Sequence, residues 1–257
     1  MSQLRVFITG ASSGIGEALA VYYAGRGAVL GLAARRRPVL EALAERLGGG
    51  HACYPLDVSD APALHAAATD FLARFGAPDI VVASAGVSAG TLTECEEDLE
   101  AFRRIMDINV FGMAATFAPF IPAMEKAGPG GRLVGIASVA GIRGLPGAEA
   151  YSASKAAAIT YLESLRLEMR PRGIKVVTIA PGYIESPMTA VNPYPMPFLL
   201  PADEAARRFA RAIERGTSYT VIPWQMGFVA KVLRLMPNWL YDRLFVGAPR
   251  KPRGLLK

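Results

Sequence analysis

The first apolar run of the chain, Arg5-Val6-Phe7-Ile8-Thr9, is short and rich in β-branched and aromatic residues, which predicts a strand. From Gly14 to Gly25 the pattern changes, and Ile15, Leu19 and Tyr22 recur at helical spacing. The two periods then alternate. Ala28 to Ala33 reads as a strand, Pro38 to Leu47 as a helix, His51 to Pro55 as a strand, Asp60 to Phe75 as a helix and Ile80 to Ser84 as a strand. Thr93-Glu94-Cys95-Glu96 has the form of a capping box and predicts the start of a long helix towards Met124. Strands over Arg132 to Ala137, Lys175 to Ala180 and Tyr219 to Ile222, with a helix over Ala148 to Met169, complete the series. Such alternation predicts an α/β fold, a single doubly wound domain whose central parallel sheet of about seven strands is flanked by helices. No linker or repeat divides the chain. Residues 1–223 read as the main domain and 224–257 as an apolar and basic helical extension of it.

The first strand and helix are joined by Thr9-Gly10-Ala11-Ser12-Ser13-Gly14-Ile15-Gly16. In that setting Gly10 permits a tight turn, Gly14 lets backbone approach a pyrophosphate, and Gly16 allows close helix packing. The free N–H groups at the helix start attract phosphate, so the turn, with Ser12, Ser13 and Ile15 in it, predicts a dinucleotide site. Farther on, Tyr151-Ser152-Ala153-Ser154-Lys155 lies thirteen residues after Ser138. Residues four apart share a helix face, about 5–6 Å apart at Cβ, so the Lys155 ammonium is expected near the Tyr151 phenol, favouring its ionised form. A free tyrosine titrates near 10, too high for efficient acid–base work at neutral pH, and an oxidised nicotinamide would add a second positive charge. Alone, Tyr-x-x-x-Lys is most often a solvated helix face. Together with Ser138 and the glycine turn it predicts carbonyl reduction by a nicotinamide cofactor.

At the end of the second strand, Ala33-Ala34-Arg35-Arg36-Arg37 offers three guanidinium groups and no acid. A carboxylate there would bind the ribose hydroxyls and repel a 2′-phosphate, so this stretch favours NADPH over NADH. Arg35 is the first candidate for the phosphate contact, with Ser12 or Arg36 assisting. A basic helix start is otherwise unfavourable.

With these motifs in this order, the chain resembles the short-chain dehydrogenase/reductase superfamily from Thr9 to about Ser186. The resemblance implies a Rossmann-type fold and an oxidoreductase with Ser138, Tyr151 and Lys155 as its catalytic core and Asn109 completing a proton relay. It implies that Asp57 and Val58 meet the adenine, that Ala85 and Gly86 allow close approach, and that Pro181-Gly182-Tyr183-Ile184 meets the nicotinamide. Ser186 stands where a threonine usually contacts the carboxamide. Ala83-Ser84-Ala85-Gly86 departs from the family's Asn-Asn-Ala-Gly, placing a short hydroxyl where an amide ties the sheet. The helices Thr93 to Met124 and Ala148 to Met169 resemble the family's dimerising pair, which implies a homodimer or homotetramer. A non-catalytic NADP(H)-binding sensor or scaffold is the alternative, and the intact Ser138, Tyr151 and Lys155 argue against it.

Composition narrows the rest. Two cysteines, Cys53 and Cys95, supply no disulfide framework, and two histidines, His51 and His65, no metal site. Met1 leads straight into the first strand without a basic and apolar leader, so a cytoplasmic location is expected. Ile108 to Met124 is seventeen residues without charge, but with Pro119 and Pro122 it reads as core or subunit interface rather than a membrane span. Lid residues 187–201 carry no charge, which suits an apolar ketone or its alcohol, lipid-like 3-oxoacyl or sterol-like, against an adaptable Met196 and Phe198; closure on the protein's own core is the other reading.

The net charge of +6 is carried by the tail: 21 basic and 21 acidic residues to Pro223, then seven basic and one acidic. With both tryptophans in it, that tail could lie peripherally on an anionic membrane, with Lys231, Arg234, Arg243, Arg250, Lys251 and Arg253 towards headgroups. Packing over the cleft or a neighbouring subunit fits equally. Nucleic acid is excluded as a partner by the modest charge and the lack of a reading motif.

Overall fold

The computed structural model describes residues 3–256; the expected entry of Met1 into the first strand falls outside them, as do Ser2 and Lys257. Seven strands form one parallel sheet: β1 (Arg5–Thr9), β2 (Val29–Ala34), β3 (Ala52–Pro55), β4 (Ile80–Ala83), β5 (Arg132–Ile136), β6 (Lys175–Pro181) and β7 (Tyr219–Ile222). Their spatial order is β3-β2-β1-β4-β5-β6-β7. Between them run α1 (Gly14–Ala24), α2 (Arg37–Arg46), α3 (Ala61–Phe75), α4 (Asp98–Met106), α5 (Gly112–Phe117), α6 (Ile121–Ala127), α7 (Glu149–Met169), α8 (Pro187–Ala190) and α9 (Ala202–Arg215). Two more helices, α10 (Trp224–Leu235) and α11 (Asn238–Phe245), follow the sheet.

Strand residues alternate between two cores, as the two-residue period of a strand requires. On one face Val6, Ile8, Leu30 and Val177 pack with Leu19, Leu40 and Phe209 of α1, α2 and α9. On the other, Phe7, Val81 and Leu133 pack with Phe71, Phe120 and Leu162 of α3, the segment before α6, and α7. Both faces are thus covered, which is why the strands read as almost continuous apolar runs. The strand order reverses between β1 and β4, and the carboxyl ends of these two strands open a crevice of the kind in which doubly wound sheets hold ligands.

The helix expected from Thr93 begins instead at Asp98. Thr93 lies in a turn, where its hydroxyl donates to the Glu149 carboxylate at 2.9 Å and so holds this segment to a residue 56 positions away. Nor is this helix continuous to Met124. A π turn over Asp107–Phe111 separates α4 from α5, and Pro119, which lacks an N–H donor, lies in the break before α6, whose first turn holds Pro122. By length and composition Asp98–Ala127 could cross a membrane, yet Phe117, Phe120 and Met124 are fully buried in the core. The extension is helical only through Phe245; from Val246 to Leu256 it runs without regular helix.

Candidate active site

The crevice is built from backbone approach. Gly10 has φ +70°, and a Cβ there would lie 2.8 Å from Ala85 Cα, so the glycine turn and the loop after β4 touch main chain to main chain. The Thr9 hydroxyl donates to the Val82 carbonyl and accepts from the Ala85 N–H, each at 3.4 Å. It thereby supplies part of the tie across β1 and β4 that the resemblance assigns to an amide where Ser84 stands. Ser13 is the N-cap of α1 but makes no capping hydrogen bond with its side chain, leaving first-turn N–H groups to face a ligand. This cradle, continuous with Ala34, Arg35, Asp57, Gly86 and Tyr151 along one cleft, fits a dinucleotide.

Asn109 sits in the π turn and is fully buried. Its Oδ1 accepts from Val87 N at 2.8 Å, and its Nδ2 donates to Val87 O at 3.0 Å and to Ser154 Oγ at 2.9 Å. Ser154 in turn donates to the Tyr151 carbonyl at 2.8 Å. The side chain expected to serve a water relay is therefore first a clamp, holding the loop after β4 to the turn of α7 that carries Tyr151. A Cβ on Gly86 would stand 3.2 Å from Asn109 Oδ1 and 3.5 Å from Lys155 Nζ, which shows how tightly these groups converge.

Ser138 ends β5 in extended backbone, and its Oγ accepts from Ala140 N at 3.1 Å, leaving the hydroxyl proton to donate towards the cleft. Tyr151 and Ser138 both face that cleft. Lys155 shares the Tyr151 face, as helical spacing expects, and also has a partner of its own. Its Nζ donates to the Ile136 carbonyl at 2.9 Å and lies 5.7 Å from the centre of the Tyr151 ring. Burial pushes the Tyr151 phenol above its ordinary value, partly opposed by the Ser138 hydroxyl. Burial also lowers Lys155 from 10.5 to about 8.

At the other end, Arg36 Nη2 donates to both the carbonyl and the hydroxyl of Ser12 at 3.1 Å. Arg35 borders the cleft beside it. Asp57 Oδ1 accepts from the Ser59 N–H and hydroxyl, at 3.0 and 2.7 Å, and Oδ2 pairs with Arg104 at 2.8 Å. Burial alone would raise the Asp57 carboxyl, but these donors, with Arg104 and Arg35, hold it below its ordinary value. Arg104 was not singled out from the sequence, since a basic residue on an amphipathic helix carries no local signal of its partner.

On the substrate side, Ser186 is occupied in a capping box with Thr189, whose N–H reaches Ser186 Oγ at 3.3 Å. Its hydroxyl therefore orders α8, which borders the cleft through Met188 and Thr189. Phe198, expected to adapt to a ligand, has φ 59° and is half exposed. Tyr194 takes the inward position instead, packed edge-on to Tyr183 at 6.5 Å and close enough to Tyr151 to influence its own ionisation; burial is the main cause that raises Tyr194 to about 12. The end of the chain also reaches this side. Lys251 is buried and donates to the Met188 carbonyl at 3.0 Å, and Arg253 pairs with Asp98 at 2.6 Å and Glu97 at 2.7 Å. These two cations were expected among those facing lipid headgroups. The structure commits both to the protein, because each meets an acceptor far away in sequence. Among the described residues, no group of three or more His, Cys, Asp or Glu side chains could hold a metal.

Lys251 gives a pH test. Its folded pKa is lowered by burial from 10.5 to about 8, so between those values the unfolded chain holds a proton that the folded chain has released. Stability therefore rises with pH in this window, after the full cost of the buried charge is borne below pH 8. In urea unfolding compared at pH 8 and pH 10, Lys251→Met should gain about 2 kcal/mol less over this interval than the wild type. Equal gains in the two proteins would show that Lys251 is not charged and buried as described.

A family model described as short chain dehydrogenase matches residues 5–194. An uncharacterized oxidoreductase of Myxococcus xanthus is 41% identical over 245 residues, covering 94% of this chain and 96% of that protein. The 11-beta-hydroxysteroid dehydrogenase-like 2 of Arabidopsis thaliana is 35% identical over 253 residues, covering 94% and 81% of the two chains. Among solved structures, a short-chain dehydrogenase from Streptomyces avermitilis superposes with a TM-score of 0.78 at 26% identity, covering 90% of this chain and 92% of the other.

Proposed function

This chain belongs to the short-chain dehydrogenase family, and we propose that it is an NADPH-dependent oxidoreductase interconverting a hydrophobic ketone and its secondary alcohol. The observation that carries the reading is the convergence of Ser138, Tyr151 and Lys155 on one cleft with the glycine cradle. When bound, NADPH supplies the hydride. Gly10, Ser12, Ser13, Gly14, Ile15 and Gly16 would hold its phosphates, Asp57 and Val58 would meet the adenine, and Ala85, Gly86, Pro181, Gly182, Ile184 and Ser186 would line the remainder of its path. Ser138 Oγ–H would donate to the substrate oxygen, because a carbonyl oxygen can only accept, while Ser138 Oγ accepts from Ala140 N. Tyr151 Oη would give that oxygen the proton that its neutral phenol carries. Lys155 would hold the nicotinamide ribose, and Asn109, which converges with it beside Gly86, would border its path for protons to solvent.

The uncharged lid, with Tyr194 packed on Tyr183 and close to Tyr151, supports an apolar substrate, and two relatives described as steroid-dehydrogenase-like agree with that class. NADPH oxidation should be measured against ketones of graded apolar size, including acyl thioesters and fused-ring ketones, and kcat/KM should climb with apolar area. A preference for polyhydroxylated ketones would overturn the substrate class. The unpaired Cys53 and Cys95 support a cytoplasmic setting, and exposed Leu99, Phe111 and Leu167 support a homodimer or homotetramer through the α4 and α7 faces.

Cofactor choice has its own test. Arg35 and the Ser12–Arg36 pair offer positive charge where an acid would select NADH. Replacing Ala34→Asp with Arg35→Ala should weaken NADPH by about 1.5–3 kcal/mol, roughly 10- to 100-fold in Kd, and improve NADH. Equal wild-type affinities for the two cofactors would contradict the assignment.

A further inference from the structure

The outer face of α10 and α11 concentrates apolar side chains in water. Trp224, Phe228, Val232 and Leu235 follow one another at i, i+4, i+8 and i+11, which places them on one stripe of α10. Trp224 is 72% and Leu235 83% exposed. Beyond the turn, Trp239 is 70% exposed, with Leu244 and Val246 exposed as well. Both tryptophans of the chain are in this group. Solitary exposed apolar residues need no explanation, but seven in 23 positions mark an interaction surface.

This surface is held firmly from behind. Arg143 donates to the carbonyls of Leu233 and Met236 at the end of α10, at 2.5 and 2.6 Å, and to Asn238 Oδ1 at 2.9 Å. Its guanidinium lies 3.9 Å over the Tyr241 ring, and the Tyr241 hydroxyl donates to the Gly144 carbonyl at 2.6 Å. Met226, Ala230 and Tyr241 fill the inward side. The helices therefore have their own packing partners, and the stripe remains free.

Its charge decides the partner. From Trp224 to Arg250 there are four basic residues, Lys231, Arg234, Arg243 and Arg250, all exposed, and one acidic residue, Asp242. Lys231 falls on the stripe between Phe228 and Leu235, where its stem can follow the apolar atoms while the ammonium reaches outward. We propose that α10 and α11 dock this chain peripherally on an anionic lipid bilayer. Trp224, Phe228, Leu235 and Trp239 enter the interface, where tryptophan is favoured, and the four cations meet headgroup phosphates. A second copy is the poorer occupant, because a two-fold contact through this face would oppose the same excess of positive charge on both sides.

The test is flotation of the full chain with phosphatidylcholine vesicles, with and without phosphatidylglycerol, at low and high salt. Binding should require phosphatidylglycerol and weaken at high salt. Lys231→Gln with Arg234→Gln and Arg243→Gln should weaken it on the order of a hundredfold. Trp224→Ala with Phe228→Ala and Leu235→Ala should abolish it, with NADPH affinity in both variants showing that the fold is intact. Failure of the wild type to float with anionic vesicles overturns the proposal. So does vesicle binding that survives the apolar substitutions, or light scattering in which those substitutions dissociate a dimer while the wild type ignores lipid.

Discussion

Tyr151→Phe should lower ketone reduction on the order of 10²–10⁴-fold while leaving NADPH affinity nearly unchanged. The substitution removes one transferable proton and keeps the ring, so packing in the cleft and the Asn109–Ser154–Tyr151 carbonyl chain stay in place. Steady-state turnover alongside NADPH fluorescence titration separates the two effects. Burial favours the neutral phenol, which suits reduction at neutral pH; in the reverse direction the phenol must first lose its proton, so alcohol oxidation should rise with pH. A Tyr151→Phe protein with near-normal reduction would place the acid elsewhere.

Lys155→Ala should damage both turnover and cofactor binding. Lys155 Nζ already holds the Ile136 carbonyl within the buried floor of the cleft, next to the positions that Asn109 and Gly86 occupy. If Lys155 holds the ribose as proposed, removing it would cost a charge-assisted contact, about 1.5–3 kcal/mol, or roughly a 10- to 100-fold rise in the NADPH Kd, with a further fall in kcat. It also leaves the Ile136 carbonyl without its donor. Wild-type NADPH affinity in this variant would assign the ribose contact to another group. The contrast between the two variants is the diagnostic: one loses chemistry alone, the other loses chemistry and binding.

Much of the site was legible because its signals are local. The glycine turn joins a strand to a helix with fixed spacing, and Gly10 and Gly16 are required by approaches within a few residues or across a neighbouring loop. The arginines at 35–37 and the missing acid sit together in the chain. Thr93 shows the opposite case. Its Ser/Thr-x-x-Glu spacing is a true local preference, but the segment is held by a distant contact to Glu149 and Asp98 starts the helix. Lys155 combines the two cases: helical spacing puts it 5.7 Å from the Tyr151 ring centre, while the Ile136 carbonyl that takes one of its donors is announced by no spacing.

The sequence by itself determined the alternation of strands and helices, the sheet covered on both faces, the nucleotide turn and the order of Ser138, Tyr151 and Lys155, because each depends on a period of two or about 3.6 residues or on steric needs of single glycines. Only the tertiary structure decided that Asn109 clamps Val87 and Ser154, that Arg104 holds Asp57, and that Arg253 reaches Asp98 across 155 residues. It also divided the basic tail, burying Lys251 against Met188 while leaving Lys231, Arg234, Arg243 and Arg250 in solvent. The reason is that a charged side chain's partner is chosen by which acceptors the fold brings within about 3 Å, and no local pattern in the chain encodes that meeting.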